Sequence, residues 1–175
     1  ILMRIADIFL AFPGIVFAIA VASVLSGGIT SAVIAVAAVS WPKYARLARS
    51  EVLSVCASDY IKAARMSGMS EFGIIIKHII PNIAGIIVTT ALLDIGHMMM
   101  EIAGLSFLGL GAAPPAAEWG AMMSNGRSML QTAPWIILAP GVAIFVSVLI
   151  FNMFGESVKT RWNKNNRRTG YAGRQ

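Results

Sequence analysis

The chain has 175 residues, of which 57% are apolar and only 13% charged, with a formal net charge of +6 and a mean hydropathy of +0.75. Soluble domains average about 45–50% apolar and about 25% charged residues, so this composition argues against a soluble globular domain and excludes a disordered chain. A single cysteine, Cys56, leaves no intrachain disulfide framework and no cysteine-based structural zinc site.

Residues 8–42 carry no charged side chain. As one helix that stretch would be about 52 Å long against a hydrocarbon core of about 30 Å, so it must turn back on itself. Ser26-Gly27-Gly28 marks the turn, because glycine tolerates a reversed backbone. The pattern predicts span one over residues 5–25, kinked at Pro13, and span two over residues 29–48, with Arg46 and Arg49 at its polar end. Ala18 with Ala22, and Ser31 with Ala35, set small residues one helical turn apart for close helix contact.

Residues 49–78 are more polar. Ser58 or Asp59 caps a short helix over residues 60–67, and Gly68 ends it in a left-handed conformation. Ser70 caps a second helix that leads through Phe72 and Ile80 into span three, and Pro81 breaks or bends that passage. Tyr60, Ile61 and Ala64 give the short helix an apolar side. It either packs on its own membrane helices or forms a rigid knob that inserts into a groove on a partner.

Span three is predicted over residues 79–104. Thr90, Asp94, His97 and Glu101 fall within about 60° of arc on one of its faces, with Met98 beside them. An Asp at the centre of a membrane helix costs about 2.5–3.5 kcal/mol on insertion scales, so the stripe needs an explanation. It is a set of pairs (Asp94 with His97 or with a neighbouring helix), the lining of a solute route, or a donor set of O, N and S atoms for a transition metal. Residues 105–131 are rich in Gly and Pro and read as an external re-entrant or surface loop with a short helix around residues 119–130. Span four covers residues 132–155, starting near Pro134-Trp135, and residues 156–175 form a basic tail. The whole reads as an all-α integral membrane protein, a polytopic helical bundle of about four spans.

Charge location gives an orientation. Residues 43–77 hold six Lys/Arg and three Asp/Glu, a net of +3, and the tail holds six Lys/Arg and one Glu, a net of +5. The loop of residues 105–131 is neutral. Lys and Arg mark the cytoplasmic side, so the polar segment and the tail are expected inside and the glycine turn and the loop outside. The positive charge is then a topology signal with anionic-lipid contact, and nucleic acid is not an expected partner.

Lys62-Ala63-Ala64, three residues, Gly68, nine residues, and then His78-Ile79-Ile80-Pro81 resembles the EAA motif of bacterial ABC importer permeases. That motif reads Glu-Ala-Ala, three residues, Gly, nine residues, then Ile-x-Leu-Pro. Ala63, Ala64, Gly68 and Pro81 match in register, while Lys62 stands in place of Glu, and His78 and Ile80 replace Ile and Leu. The peptide/nickel branch of the family is similar over the whole chain, in Trp41-Pro42-x-Tyr44-Ala45-Arg46, in Lys77 to Asn82, in Ala103 to Gly111 and in Glu118-Trp119-Gly120.

The resemblance implies a bundle of the ABC importer transmembrane-domain type in the bacterial inner membrane. It implies a permease subunit that moves solute inward by alternating access. Two cytoplasmic ATP-binding subunits would grip the coupling segment, with Tyr60, Ile61, Lys62, Ala63, Ala64, Gly68 and Pro81 as its coupling residues. A second permease subunit, making a heterodimer, and an extracytoplasmic solute-binding protein would complete the machine. No Gly-x-x-x-x-Gly-Lys-Ser/Thr occurs, so ATP and Mg are expected on the partners, with no cofactor and no enzymatic site in this chain. Leu93-Asp94-Ile95-Gly96-His97-Met98-Met99 looks like the nickel-type members, which implies nickel or a nickel chelate as solute. Di- or oligopeptides are the alternative, and the metal ligands stay unassigned. Subunits of this branch have about six spans, so the chain is expected to be the C-terminal portion of a longer one. A remote alternative is an intramembrane serine hydrolase, which would need Ser106 to meet His97; no His-Glu-x-x-His occurs.

Overall fold

The computed structural model describes residues 2–25, 27–112 and 115–172, with side chains described as far as residue 161. Among the described residues the chain is helical, with no strand. The helices are α1 (Leu2–Leu10), α2 (Gly14–Val24), α3 (Ile29–Cys56), α4 (Asp59–Met66), α5 (Glu71–Ile74), α6 (Ile80–Phe107), α7 (Trp119–Asn125) and α8 (Trp135–Ala172). A π-helical turn, Ile75–Ile79, joins α5 to α6, and a 3₁₀ turn, Arg127–Met129, follows α7.

Span one departs from its expected form. Instead of a kinked helix over residues 5–25, α1 and α2 are separate helices that meet at 100°. Pro13 sits at the N-cap of α2 with extended backbone (ψ 124°). A proline lacks the N–H that would continue α1 and pushes the residue before it away from helical geometry, so the chain turns there rather than bending slightly.

Length and composition mark fewer helices as membrane spans than the four expected. By length and composition, Glu71–Phe107 and Trp135–Arg161 are each able to cross a membrane, and the bent pair makes a third if it counts as one span. The expected second span is not among them. α3 is continuous past residue 48 to Cys56, yet only its N-terminal half is apolar, and Lys43, Arg46, Arg49 and Glu51 follow.

Span three is observed as α6, shifted from residues 79–104 to Ile80–Phe107. Pro81 neither breaks nor ends it. The amide of Ile80 bonds to the carbonyl of Ile75, five residues back, and this widened turn leaves room for the proline ring in the first turn of α6. Span four does not stop at residue 155; α8 runs on and takes most of the expected tail into the same helix. The short helix expected around residues 119–130 is α7 followed by the 3₁₀ turn.

Small residues set the packing. Ala18 and Ala22 of α2, Ala32, Ala35 and Val36 of α3, and Leu105 of α6 form one buried cluster. Buried Ser31 donates to the carbonyl of Leu25 at 2.9 Å, so its hydroxyl is satisfied inside the close contact. On its other side α6 meets α8 through glycines. A Cβ on Gly96 would lie 3.0 Å from Asn152 Oδ1 and 3.2 Å from Val148 Cγ1, and one on Gly155 would lie 2.9 Å from Leu93 Cδ2. These contacts make α8 antiparallel to α6 and carry its end beyond Gly155 toward the α4–α5 end of the bundle. Gly27 lies beside the carbonyl of Leu110, so the glycine turn and the loop after α6 share the opposite end. The two basic segments therefore gather at one end. The outward side of α8 exposes Leu138, Val142, Phe145, Leu149, Ile150 and Phe154, a face suited to hydrocarbon or another apolar helix.

α7 rests on α6 at a point where no side chain fits. A Cβ on Gly120 would be 2.3 Å from the carbonyl oxygen of Ala103, whereas one on Gly104, a residue away on α6, would meet nothing within 4 Å. Gly120→Ala must push α7 off α6 and is expected to destabilise the fold by about 1–3 kcal/mol, the usual cost of overpacking. Gly104→Ala should be close to neutral. Thermal unfolding of the two variants in detergent checks the difference.

Candidate functional site

Two places draw together the residues singled out by the sequence. The first is the knob at the polar end. Ser58 occupies the N-cap of α4 with extended backbone but makes no side-chain cap; its hydroxyl turns back to the carbonyl of Val55. The helix ends at Gly68, whose φ is +82°. The amide of Gly68 donates to the carbonyl of Arg65 and that of Met69 to the carbonyl of Ala64. This is a Schellman ending, which needs a left-handed residue and so explains the glycine. Ser70 then caps α5 by accepting from the amide of Gly73 at 3.2 Å. Arg65 and Glu71 bridge the corner, Nε to Oε1 at 2.9 Å. The bond to Glu71, and then its charge, hold the guanidinium pKa above its ordinary value.

The knob has an inner and an outer side. Ile61 is fully buried with Ile74, Ile79 and Ile83, against Val52, Val55, Cys56, Ala64, Met69 and Ile87. Tyr60 OH accepts from Asn82 Nδ2 at 2.9 Å, and its ring lies 6.1 Å from that of His78. Tyr60, Ile61 and Ala64 thus fasten α4 to the ends of α3 and α6. His78 Nε2 is buried beside them without a hydrogen-bond partner. Lys62 and Ala63 point the other way. Lys62 Nζ is 2.8 Å from Asp59 Oδ1 one turn earlier, and both side chains are exposed. Met66 at the end of α4 is 89% and Phe72 of α5 72% exposed, two large apolar side chains left uncovered by the described residues. Neither was singled out by the sequence. Pro81 lies apart from the knob, in the first turn of α6.

The second place is a cleft of about 190 Å³ where α3 and α6 face the break between α1 and α2. Its lining includes Asp94, His97, Met98 and Glu101 of α6 with Ser40 and Lys43 of α3. Thr90 is not part of it, and Met98 also packs against the small-residue cluster. Lys43 Nζ donates to both carboxylate oxygens of Asp94 at 2.6 Å, and Tyr44 OH donates to Oδ2 at 2.9 Å. His97 Nε2 lies 3.3 Å from Glu101 Oε1.

Of the pairings expected for Asp94, the one with a neighbouring helix is realised and the one with His97 is not. Lys43 occupies the variable position of Trp41-Pro42-x-Tyr44, and no local spacing points from it to Asp94 on another helix. Among the described residues no group of three or more His, Cys, Asp or Glu is placed to hold a metal ion.

Ser106 does not meet His97. The two sit nine residues apart on one helix, about 13.5 Å of rise. Ser106 is almost fully buried, its Oγ has no partner, and Gly111 lies directly on it. A buried hydroxyl without a base or an open approach is no nucleophile, which removes the hydrolase reading.

Residues 1–164 match the family described as binding-protein-dependent transport system inner membrane component, and the chain belongs to that family. Its relatives include the dipeptide transport system permease protein DppC of Alkalihalophilus pseudofirmus, 45% identical over 89% of this chain and 51% of the relative. The glutathione transport system permease protein GsiD of Shigella flexneri serotype 5b is 44% identical over 90% of this chain and 52% of its own length. The nickel transport system permease protein NikC of Escherichia coli K12 is 39% identical over 90% and 57%. The chain spans about half the length of the curated relatives it matches.

The buried foot of the knob can be tested without reference to function. Ile61→Ala removes a fully buried side chain from a cluster of four isoleucines and should cost about 2–5 kcal/mol locally. Hydrogen exchange of the α4 amides should quicken while that of the α2–α3 contact stays unchanged.

Proposed function

We propose that this chain is the membrane-embedded part of a permease subunit in an ATP-driven importer of the bacterial inner membrane. In this reading α4 is the contact for cytoplasmic ATP-binding subunits, and the cleft beside Asp94 is a stretch of the solute route. The observation that carries it is the two-sided build of the knob in a member of this family: one side is fastened to α3 and α6, and Met66 of α4 and Phe72 of α5 are left uncovered. A partner that grips the outer side can move the bundle only if the inner side is rigid. Tyr60, Ile61 and Ala64 provide that rigidity, while Lys62 and Ala63 face the partner. Residues 49–77 and 156–161 lie toward the same end of the bundle, and the Lys/Arg excess argues that this end is cytoplasmic.

ATP and Mg would be bound by two partner subunits, since this chain has no phosphate-cradling loop of its own. A second permease subunit would cover apolar faces such as that of α8, and an extracytoplasmic solute-binding protein would deliver the solute. For the solute we favour a small peptide. The cleft pairs a half-exposed ammonium, Lys43, with Asp94 and also carries the carboxylate of Glu101, a lining that suits a solute carrying both signs of charge. The relatives named for dipeptide and glutathione transport support the same class. Nickel is the second reading, favoured by the stretch Leu93 to Met99 and by the nickel relative.

Met66→Glu in the full importer places a charge on the uncovered side of α4 without touching its buried foot. It should lower solute uptake and solute-stimulated ATP hydrolysis by about tenfold or more, as loss of a central contact does, while the subunit stays in the membrane. Unchanged coupling would sink the docking assignment. Titration of the cognate solute-binding protein with a dipeptide, glutathione and nickel decides the solute. Tight nickel binding with no peptide binding reverses the preference stated above.

A further inference from the structure

We infer that the Lys43 ammonium is a latch across the cleft: bound to Asp94 it closes the wall between α3 and α6, and it opens by swinging off while Tyr44 still holds the carboxylate. Resting on the importer reading, the inference adds a moving part to the cleft.

Asp94 sits at the middle of α6, fifteenth of its 28 residues, where an unpaired carboxylate is costly in a membrane. Among the described residues the bonds from Lys43 and Tyr44 are the only side-chain hydrogen bonds between α3 and α6. Elsewhere the two helices meet through apolar contacts on both sides of the cleft, Ala32, Ala35 and Val36 with Leu105 toward the loop end and Val52, Val55 and Cys56 with Ile83 and Ile87 toward the knob. Among the described residues Lys43 and Tyr44 together are therefore the polar tie at the level of the cleft, and Lys43 is its more exposed half.

Its two halves are unequal. The Lys43 side chain is 50% exposed on a flexible stem, and that of Asp94 is 14% exposed. Asp94 also accepts from Tyr44. When Lys43 swings away, Tyr44 of the same helix still donates to Asp94, so the opened state leaves no orphaned charge and α3 stays on α6 while the cleft becomes accessible. A pair with a single donor would be a strut, because breaking it would strand a buried anion.

The backbone at the latch is built to yield. Pro42, fully buried, directly precedes Lys43 inside α3, and its missing N–H leaves the carbonyl of Ala38 without a helical donor. Across the cleft, Leu10 and Gly14 flank the 100° break between α1 and α2. Two of the three segments that border the cleft thus carry a proline-made irregularity at the level of the ion pair.

The test uses the full importer in proteoliposomes, with Cys56→Ala and Ser40→Cys as a reporter in the cleft wall. Labelling by a water-soluble maleimide is read without nucleotide and with trapped ATP. The latch predicts that labelling of the reporter in an otherwise unchanged subunit differs about fivefold or more between the two states. It predicts that Lys43→Gln labels at the faster rate in both, and that the swapped pair Lys43→Asp with Asp94→Lys regains the difference. Lys43→Gln carries the test, since Asp94 keeps its Tyr44 bond and the fold should survive; Asp94→Asn is the second variant. State-independent labelling of the unchanged subunit, or a swap that stays fast in both states, overturns the latch. If ATP hydrolysis is insensitive to solute in the unchanged subunit while the labelling still follows nucleotide, the importer reading fails and the latch stands.

Discussion

The close approach of α6 to its neighbours is the constraint on which the remaining structure depends. A helix that touches α2 and α3 on one side and α8 on another has little room for side chains at the contacts. Alanines and a serine fill the first seam, and Gly96 and Gly155 open the second. In hydrocarbon such contacts cannot rely on the hydrophobic effect, so backbone proximity and dispersion must hold the helices together. Gly120 repeats the device at the loop end, where α7 lies on the backbone of Ala103. With α6 fixed in this way, the polar residues on its remaining face have a defined partner helix, and the turn that leads into it has a defined position for α4.

The knob was the most legible part of the sequence because its signals are local. Gly68 must be left-handed for a Schellman ending, and Ser70 at a cap followed three residues later by Gly73 needs no distant partner to be read. The apolar side of α4 followed from spacing as well, and Ile61 is indeed fully buried. The small pairs Ala18/Ala22 and Ser31/Ala35 were readable for the same reason, and all four residues are buried.

What the sequence could not supply was geometry decided by more than one segment. Pro13 announces an irregularity but not its size; a kink and a 100° turn have the same local text. The uncharged run of residues 8–42 suggested two spans because hydropathy averages over a helix. α3 shows how a continuous helix can be apolar in one half and basic in the other. Pro81 was expected to break or bend the entry to span three, and a π turn takes it up there without a break. That outcome depends on the buried isoleucines Ile74, Ile79 and Ile83, which gain from keeping the helix continuous. The partner of Asp94 lies 51 residues away on another helix, and no spacing rule reaches that far.

The polar stripe on α6 shows why a membrane charge has to be read with its neighbours. Four side chains on one face looked like a single site. The structure leaves Thr90 outside the cleft and divides the other three into Asp94, held by two donors from α3, and His97 with Glu101, one turn apart on α6. Only the first joins two helices, so only the first can report or restrain their separation. An intrahelical pair moves with its helix and senses nothing between them. The same distinction applies at the knob, where Lys62–Asp59 lies within α4, while Tyr60–Asn82 ties α4 to α6. A displacement of α4 therefore reaches α6 through Tyr60 and the isoleucine cluster. It arrives on the helix whose middle is tied to α3 by Lys43, which connects the uncovered knob to the cleft through one rigid element.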